Sequence, residues 1–328
     1  MTSVTPETAS TPDDEARVNN LRSFAVLDTE HEEAFDRITR LAAGLLDVPI
    51  ALISLVDGER QWFKSRVGLD ATETPRELAF CAHAIQGDIL FTVKDATDDE
   101  RFSANPLVTG QPNIRFYAGA PLKSEQGYNL GTLCIIDRVP RVLDDRQREL
   151  LEDLAGLAVR ELELRKAASI DGLTGVFNRS ALLAAAKSEF ARARRYDTDL
   201  SLGIIDVDHF KLINDNWGHG GGDVILRGIA QACQSSIREG DVVGRIGGDE
   251  FAVLFPRASA EFAAKIMLRI QTNLRAAAFL GGHTGAVPTL SVGIAQVQPD
   301  DSGLLATWER ADAAAYLAKR TRDAVVCG

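Results

Sequence analysis

The segment Val242–Phe255, VVGRIGGDEFAVLF, places Gly247, Gly248, Asp249 and Glu250 between two apolar runs. VVGRI and FAVLF read as the two strands of a hairpin, with the glycines permitting positive φ and letting backbone N–H groups approach an anion. Adjacent carboxylates in an apolar hairpin repel one another, a cost that a divalent cation removes. A second carboxylate fits the same chemistry. The apolar run Leu200–Ile205 delivers Asp206 at a strand end with the Val207 carbonyl beside it, and hard oxygen donors suit Mg²⁺. Taken singly, an Asp after a strand is a cap or turn residue; the hairpin makes metal ligation the better reading.

A chain of 328 residues with 45% hydrophobic and 25% charged residues has the length for two cores and an ordinary globular composition. No apolar run approaches the roughly 20 residues of a membrane span, and the first residues lack a leader's basic head and apolar stretch. No membrane partner is therefore expected. Cys81, Cys134, Cys233 and Cys327 form no CxxC pair, so neither a disulfide framework nor a zinc site is expected, and a reducing cytoplasmic location fits. The net charge of −11 argues against nucleic acid and anionic membranes as partners.

Along the chain, residues 1–16 have little to bury and read as a disordered tail. Phe35, Ile38, Leu41, Ala42, Leu45 and Leu46 recur at helical spacing. Strand-like runs follow at Ile50–Val56, Gln61–Ser65, Phe91–Ala96, Phe116–Leu122 and Leu130–Asp137, an antiparallel sheet with flanking helices. Residues 144–169 read as a helical linker, with Leu150, Leu157 and Leu164 seven apart and Leu154 between them. Pairing through that seam competes with simple packing on the helix's own domain. The fold class is α+β throughout.

The stretches RQWFKSRVGL, FCAHAI, VKDATDDERFSANPLVTG, IRFYAGAPL and LGTLCIID make residues 17–143 resemble a GAF domain. The resemblance implies a sensory or dimerisation module whose pocket holds an unidentified small molecule or none. Cys81 and His83 in FCAHAI invite a chromophore, haem or metal reading, but two such residues fall short of a closed metal site and buried packing is preferred. Trp62 and Phe63 likewise read as core.

From residue 170 to 328, DGLTGVFNR, DVDHFKLINDNWGHGGGD, RIGGDEFAVLFP, TLSVGIA and RADAAAYLAK together resemble the GGDEF domain of diguanylate cyclases. The resemblance implies a ferredoxin-like, nucleotidyl-cyclase-like core that joins two GTP into cyclic di-GMP and releases pyrophosphate. By the same resemblance Asp206, the Val207 carbonyl, Asp249 and Glu250 would hold Mg²⁺, with Mn²⁺ as the alternative, and Asp249 would serve as the base with Glu250 beside it. Asn214, His219 and Asp223 would hold the nucleotide: Asp223 can accept from the guanine N1–H and amine, and Asn214 can donate to O6 or N7. Lys319 matches the family's phosphate-binding lysine and Lys211 is a second candidate. The family's AK-x-x-G-R tail reads AKRTRD here, so Arg322 and Asp323 stand where glycine and arginine are usual. Arg238 and Asp241 in REGD match an RxxD site for inhibitory product, with Arg269 as a secondary member; an Arg–Asp pair on a surface turn is the alternative. One guanine site per chain against two in the product implies a homodimer.

Overall fold

The computed structural model describes residues 12–276 and 288–328, and the chain divides into two compact units, the first ending at Ala168 and the second beginning at Ser169. In the first unit the order is α1 (Pro12–Arg22), α2 (Glu33–Leu46), β1 (Ile50–Val56), β2 (Arg60–Val67), β3 (Glu73–Pro75), α3 (Phe80–Ala84), β4 (Phe91–Val93), α4 (Pro106–Thr109), β5 (Phe116–Lys123), β6 (Asn129–Asp137) and α5 (Asp145–Ala168). The sheet runs β3-β2-β1-β6-β5-β4 with every neighbouring pair antiparallel.

Alternation along β1 explains why its seven residues are all buried. Ala51, Ile53 and Leu55 join a cluster with α2 and α5 residues, while Ile50, Leu52 and Val56 face the opposite layer with Phe80, Cys81 and Tyr117. Helix α2 buries Phe35, Ile38, Ala42 and Leu46 and closes at Asp47, whose left-handed backbone (φ 49°) lets its N–H reach the Ala43 carbonyl.

One expectation changes here, and one alternative left open by the sequence is resolved. Of the tail 1–16, residues 1–11 lie outside the described residues, but 12–16 belong to α1, where Asp14 pairs with Arg17 at 2.8 Å and with Arg76 at 2.7 Å. The helix expected as a linker packs within the first unit. It buries Leu151, Leu154, Ala155, Ala158 and Leu162, leaving Leu157 and Leu164 exposed, so its sevenfold leucine spacing is not its buried face.

The second unit contains α6 (Arg179–Tyr196), β7 (Leu200–Val207), α7 (Phe210–Ser236), β8 (Val242–Arg245), β9 (Glu250–Pro256), α8 (Ala260–Ala276), β10 (Leu290–Gln296), α9 (Leu304–Thr321) and β11 (Val325–Cys327). Its sheet runs β11-β10-β7-β9-β8, and the β10-β7-β9-β8 portion is the antiparallel ferredoxin-like arrangement expected, with β11 added parallel to β10. On β7, Ile205 and Val207 pack with α7 and α8, whereas Leu202 and Ile204 pack with α6 and α9. Among the described residues no helix is long and apolar enough to cross a membrane.

Candidate active site

The pleat that points Leu202 and Ile204 toward α9 also points Asp206 that way. Glu250, the first residue of β9, is its register partner, and the Val207 N–H donates to the Asp249 carbonyl at 3.2 Å. Three acidic residues are thus gathered at one end of two neighbouring strands. The Lys319 ammonium of α9 donates to Asp206 Oδ2 at 2.6 Å. Burial is the main cause that raises the Asp206 pKa; Lys319 opposes it, while the Asp249 and Glu250 charges add to it. The Lys319 pKa is raised in turn, burial being outweighed by Asp206, Glu250 and Asp249.

This donor set fits a hard divalent cation. The side chains offer oxygen alone, and their mutual repulsion is offset at present by one ammonium. Among the described residues no three His, Cys, Asp or Glu side chains are grouped closely enough to hold a metal ion by themselves.

The hairpin corrects one expectation. Neither Gly247 nor Gly248 adopts positive φ. A Cβ at 247 would lie 2.4 Å from Glu250 Oε2, so a larger residue there would make the Glu250 carboxylate turn aside. The Ile246 and Gly247 amides both donate to the Glu250 carbonyl, at 2.9 and 3.3 Å. Arg245 then steadies the turn: Nη2 donates to the Gly248 carbonyl at 2.7 Å, and Nη1 pairs with Asp171 at 3.3 Å. Sequence reasoning did not single out Arg245 or Asp171. Their opposite charges, each fixed within a motif segment, were the available signal.

Helix α7 breaks at Gly218 (φ 71°, ψ 171°), a conformation that glycine adopts without steric cost. Beyond the break, Asn214 Oδ1 lies 2.0 Å from where a Gly222 Cβ would stand, so the Asn214 side chain lies against the backbone next to Asp223. His219 and Lys211 are exposed on α7, and the ion pair at Asp206 is made by Lys319.

The unusual tail is also accounted for. Asp323 pairs with Arg275 of α8 and its N–H donates to Asp208 Oδ2 at 3.0 Å, so its carboxylate faces a cation rather than replacing one. Arg322 ends α9 at φ 59°, ψ 164°, a region that side chains other than glycine rarely occupy. Arg322→Gly is expected to stabilise the protein by about 1 kcal/mol, read as a higher urea midpoint at unchanged slope.

At the REGD turn, Arg238 Nε lies 3.3 Å from Asp241 Oδ1, Arg238 Nη2 donates to the Pro256 carbonyl at 2.6 Å, and its guanidinium lies over Phe262. Arg269 donates to the Ser236 carbonyl nearby. Burial raises the Asp241 pKa, opposed by Arg238 and Arg269. An Arg238–Asp241 ion pair is present with Arg238 half-exposed and the Asp241 carboxylate buried, and Arg269 lies close to it.

The first unit encloses a cavity of about 340 Å³ lined by Phe63, Phe80, Cys81, Tyr117, Cys134 and Arg138 among others. Phe63, expected as core, reaches this cavity. Cys81 lines it, whereas His83 is exposed and sets its ring edge against Phe102, so the two do not form a shared site.

Residues 168–324 match the family described as diguanylate cyclase, GGDEF domain, and residues 30–162 match the GAF domain family. A cyclic di-GMP phosphodiesterase of Pseudomonas aeruginosa is 36% identical over 265 residues, covering 79% of this chain and 44% of that protein. The probable diguanylate cyclase DgcC of Escherichia coli is 39% identical over 164 residues, 50% of this chain and 44% of the relative. The chain thus spans less than half the length of these curated relatives. A solved structure of the coiled coil and GGDEF domain of DgcB from Caulobacter crescentus, in complex with c-di-GMP, superposes with a TM-score of 0.50 at 30% identity, covering 56% of this chain and 97% of that one. With both matches in the expected order and joined within helix α5, this chain belongs to the GGDEF family and carries a GAF domain ahead of its GGDEF domain.

Proposed function

We propose that the protein is a diguanylate cyclase that condenses two GTP into cyclic di-GMP and releases two pyrophosphates. The observation that carries this reading is the gathering of Asp206, Asp249 and Glu250 at one strand end with Lys319 on Asp206. Asp249 accepts the proton of the attacking 3′-hydroxyl, assistance worth typically about 10²–10⁴-fold. Asp206, Glu250 and the Val207 carbonyl would hold Mg²⁺. Bound there, the ion supplies positive charge to the attacking and leaving oxygens. Lys319 exchanges Asp206 for the triphosphate, aided by Lys211. Asn214 and Asp223 read the guanine edge, with His219 beside them; adenine lacks the N1–H that Asp223 requires. The phosphodiesterase name belongs to a relative of which this chain spans 44%, and the intact acidic cluster favours synthesis.

Incubation with GTP and Mg²⁺ followed by nucleotide chromatography tests the reading. Cyclic di-GMP should appear with GTP and no cyclic product with ATP. Because each chain carries one guanine pair, two chains must meet, and turnover per subunit should fall on dilution below the dimer's dissociation constant. Absence of product from GTP at micromolar protein would overturn the assignment.

Arg238, Asp241 and Arg269 are proposed to bind product. Arg can grip phosphate or stack on guanine while Asp accepts from the base edge. Arg238→Ala should relieve product inhibition at unchanged initial rate. Identical inhibition curves for the variant and wild type would leave the turn a structural ion pair.

A further inference from the structure

The floor of the first unit's cavity holds a pair of thiols that the cyclase reaction does not use. Cys81 of α3 and Cys134 of β6 are both buried, both line the cavity, and their sulfurs lie 3.8 Å apart. They are 53 residues apart in the sequence, and the packing of α3 on β6 brings them together. Cys81 Sγ also accepts hydrogen bonds from the Thr132 and Tyr117 hydroxyls, at 3.1 and 3.2 Å. Two hydroxyl donors converging on one sulfur favour the thiolate, the form that reacts with peroxides. Burial opposes ionisation of Cys81, but the neighbouring Cys134, Ser54, Thr132 and Tyr117 groups outweigh it and lower its pKa, whereas that of Cys134 is raised. With both hydroxyl donors on its sulfur, Cys81 is the thiol suited to attack. The other two cysteines have different surroundings: Cys233 is buried in the second unit with burial pushing its thiol up to about 12, and Cys327 is exposed on β11.

The geometry points to a peroxide-sensitive dithiol in the GAF domain: Cys81 attacks a hydroperoxide entering the cavity, and Cys134 resolves the product as an intramolecular disulfide. In the first step the Cys81 thiolate forms an S–O bond as the O–O bond breaks, sulfur giving up two electrons, and hydroxide or alkoxide leaves. In the second, the Cys134 sulfur forms the S–S bond as the S–O bond of the Cys81 sulfenic acid breaks, and the departing hydroxide takes the Cys134 proton as water. With hydrogen peroxide the sum is two thiols and one peroxide to one disulfide and two waters. A dithiol reductant reverses the change by exchange. The sulfurs must close from 3.8 Å to about 2.05 Å, which draws the five-residue helix α3 toward β6 and narrows the cavity floor.

The experiment uses the full chain carrying Cys327→Ser, which removes the exposed thiol. After hydrogen peroxide at neutral pH and an acid quench, thiol titration in denaturant should fall from three to one, and dithiothreitol should restore three. Tryptic digestion without reductant should yield peptides 77–94 and 124–138 covalently joined. Adding Cys134→Ser should leave a Cys81 sulfenic acid that dimedone captures, while Cys81→Ser should lose no thiols. A titre that stays at three, a bond to Cys233, or oxidation of Cys81 with Cys134 still free in the parent protein would each overturn the proposal. These readouts are independent of GTP turnover, so they stand or fall apart from the cyclase reading.

Discussion

Asp249→Asn and Asp206→Asn are each expected to lower GTP turnover by about 10³-fold or more while the protein stays folded. Each removes an acidic oxygen from the cluster that Asp206 and Glu250 form across β7 and β9. Stability should move little, and for Asp206 the direction follows from linkage. Its pKa is raised in the fold, chiefly by burial, with Asp249 and Glu250 adding to the rise. A carboxyl whose folded pKa exceeds its unfolded one favours folding while protonated, and that contribution is lost as pH rises through the folded value. At neutral pH the ionised Asp206 therefore weighs against folding, and Asn at this position should leave Tm equal or slightly higher. Steady-state kinetics with thermal unfolding on the same samples checks both parts. Near-normal turnover in both variants would remove the carboxylates from the chemistry; lost turnover with a collapsed Tm would assign them a structural role.

Gly293→Ala should strongly destabilise the second unit. A Cβ at Gly293 of β10 would lie 2.0 Å from the Ala315 amide nitrogen and 2.1 Å from the Ala311 carbonyl oxygen of α9. Both obstructing atoms are backbone, so the helix as a whole must shift. Overpacking of this kind costs about 3 kcal/mol, a Tm loss of roughly 10 °C for a unit of this size. Lys319 lies on the same helix and meets Asp206 across the sheet end, so the shift should also raise KM for GTP. Gly303→Ala is the control: a Cβ there meets nothing within 4 Å and its extended backbone suits any residue. A Gly293→Ala protein melting within about 2 °C of wild type would mean that α9 yields without cost.

Local pattern determined a good deal of this protein. Helix α2 ends where its 3.6-residue repeat ends, and β1 coincides with the apolar run Ile50–Val56, because both are set by neighbouring residues. The GGDEF hairpin was legible for the same reason, as were the acidic residues at its end and the order of the two domains. Register and packing decided the rest. The seven-residue leucine spacing of α5 suggested a seam, yet which side is covered depends on the sheet it lies on, and that sheet takes Leu151, Leu154, Ala155, Ala158 and Leu162. Arg245 meets Asp171 across 74 residues, and Lys319 reaches Asp206 because alternation along β7 and the position of α9 put both on one face. Cys81 and Cys134 looked like unrelated packing residues until α3 packed on β6. Sequence periodicity is a property of a few adjacent turns or pleats, whereas the meeting of distant charges and thiols exists only after the sheet has closed and the helices have packed on it.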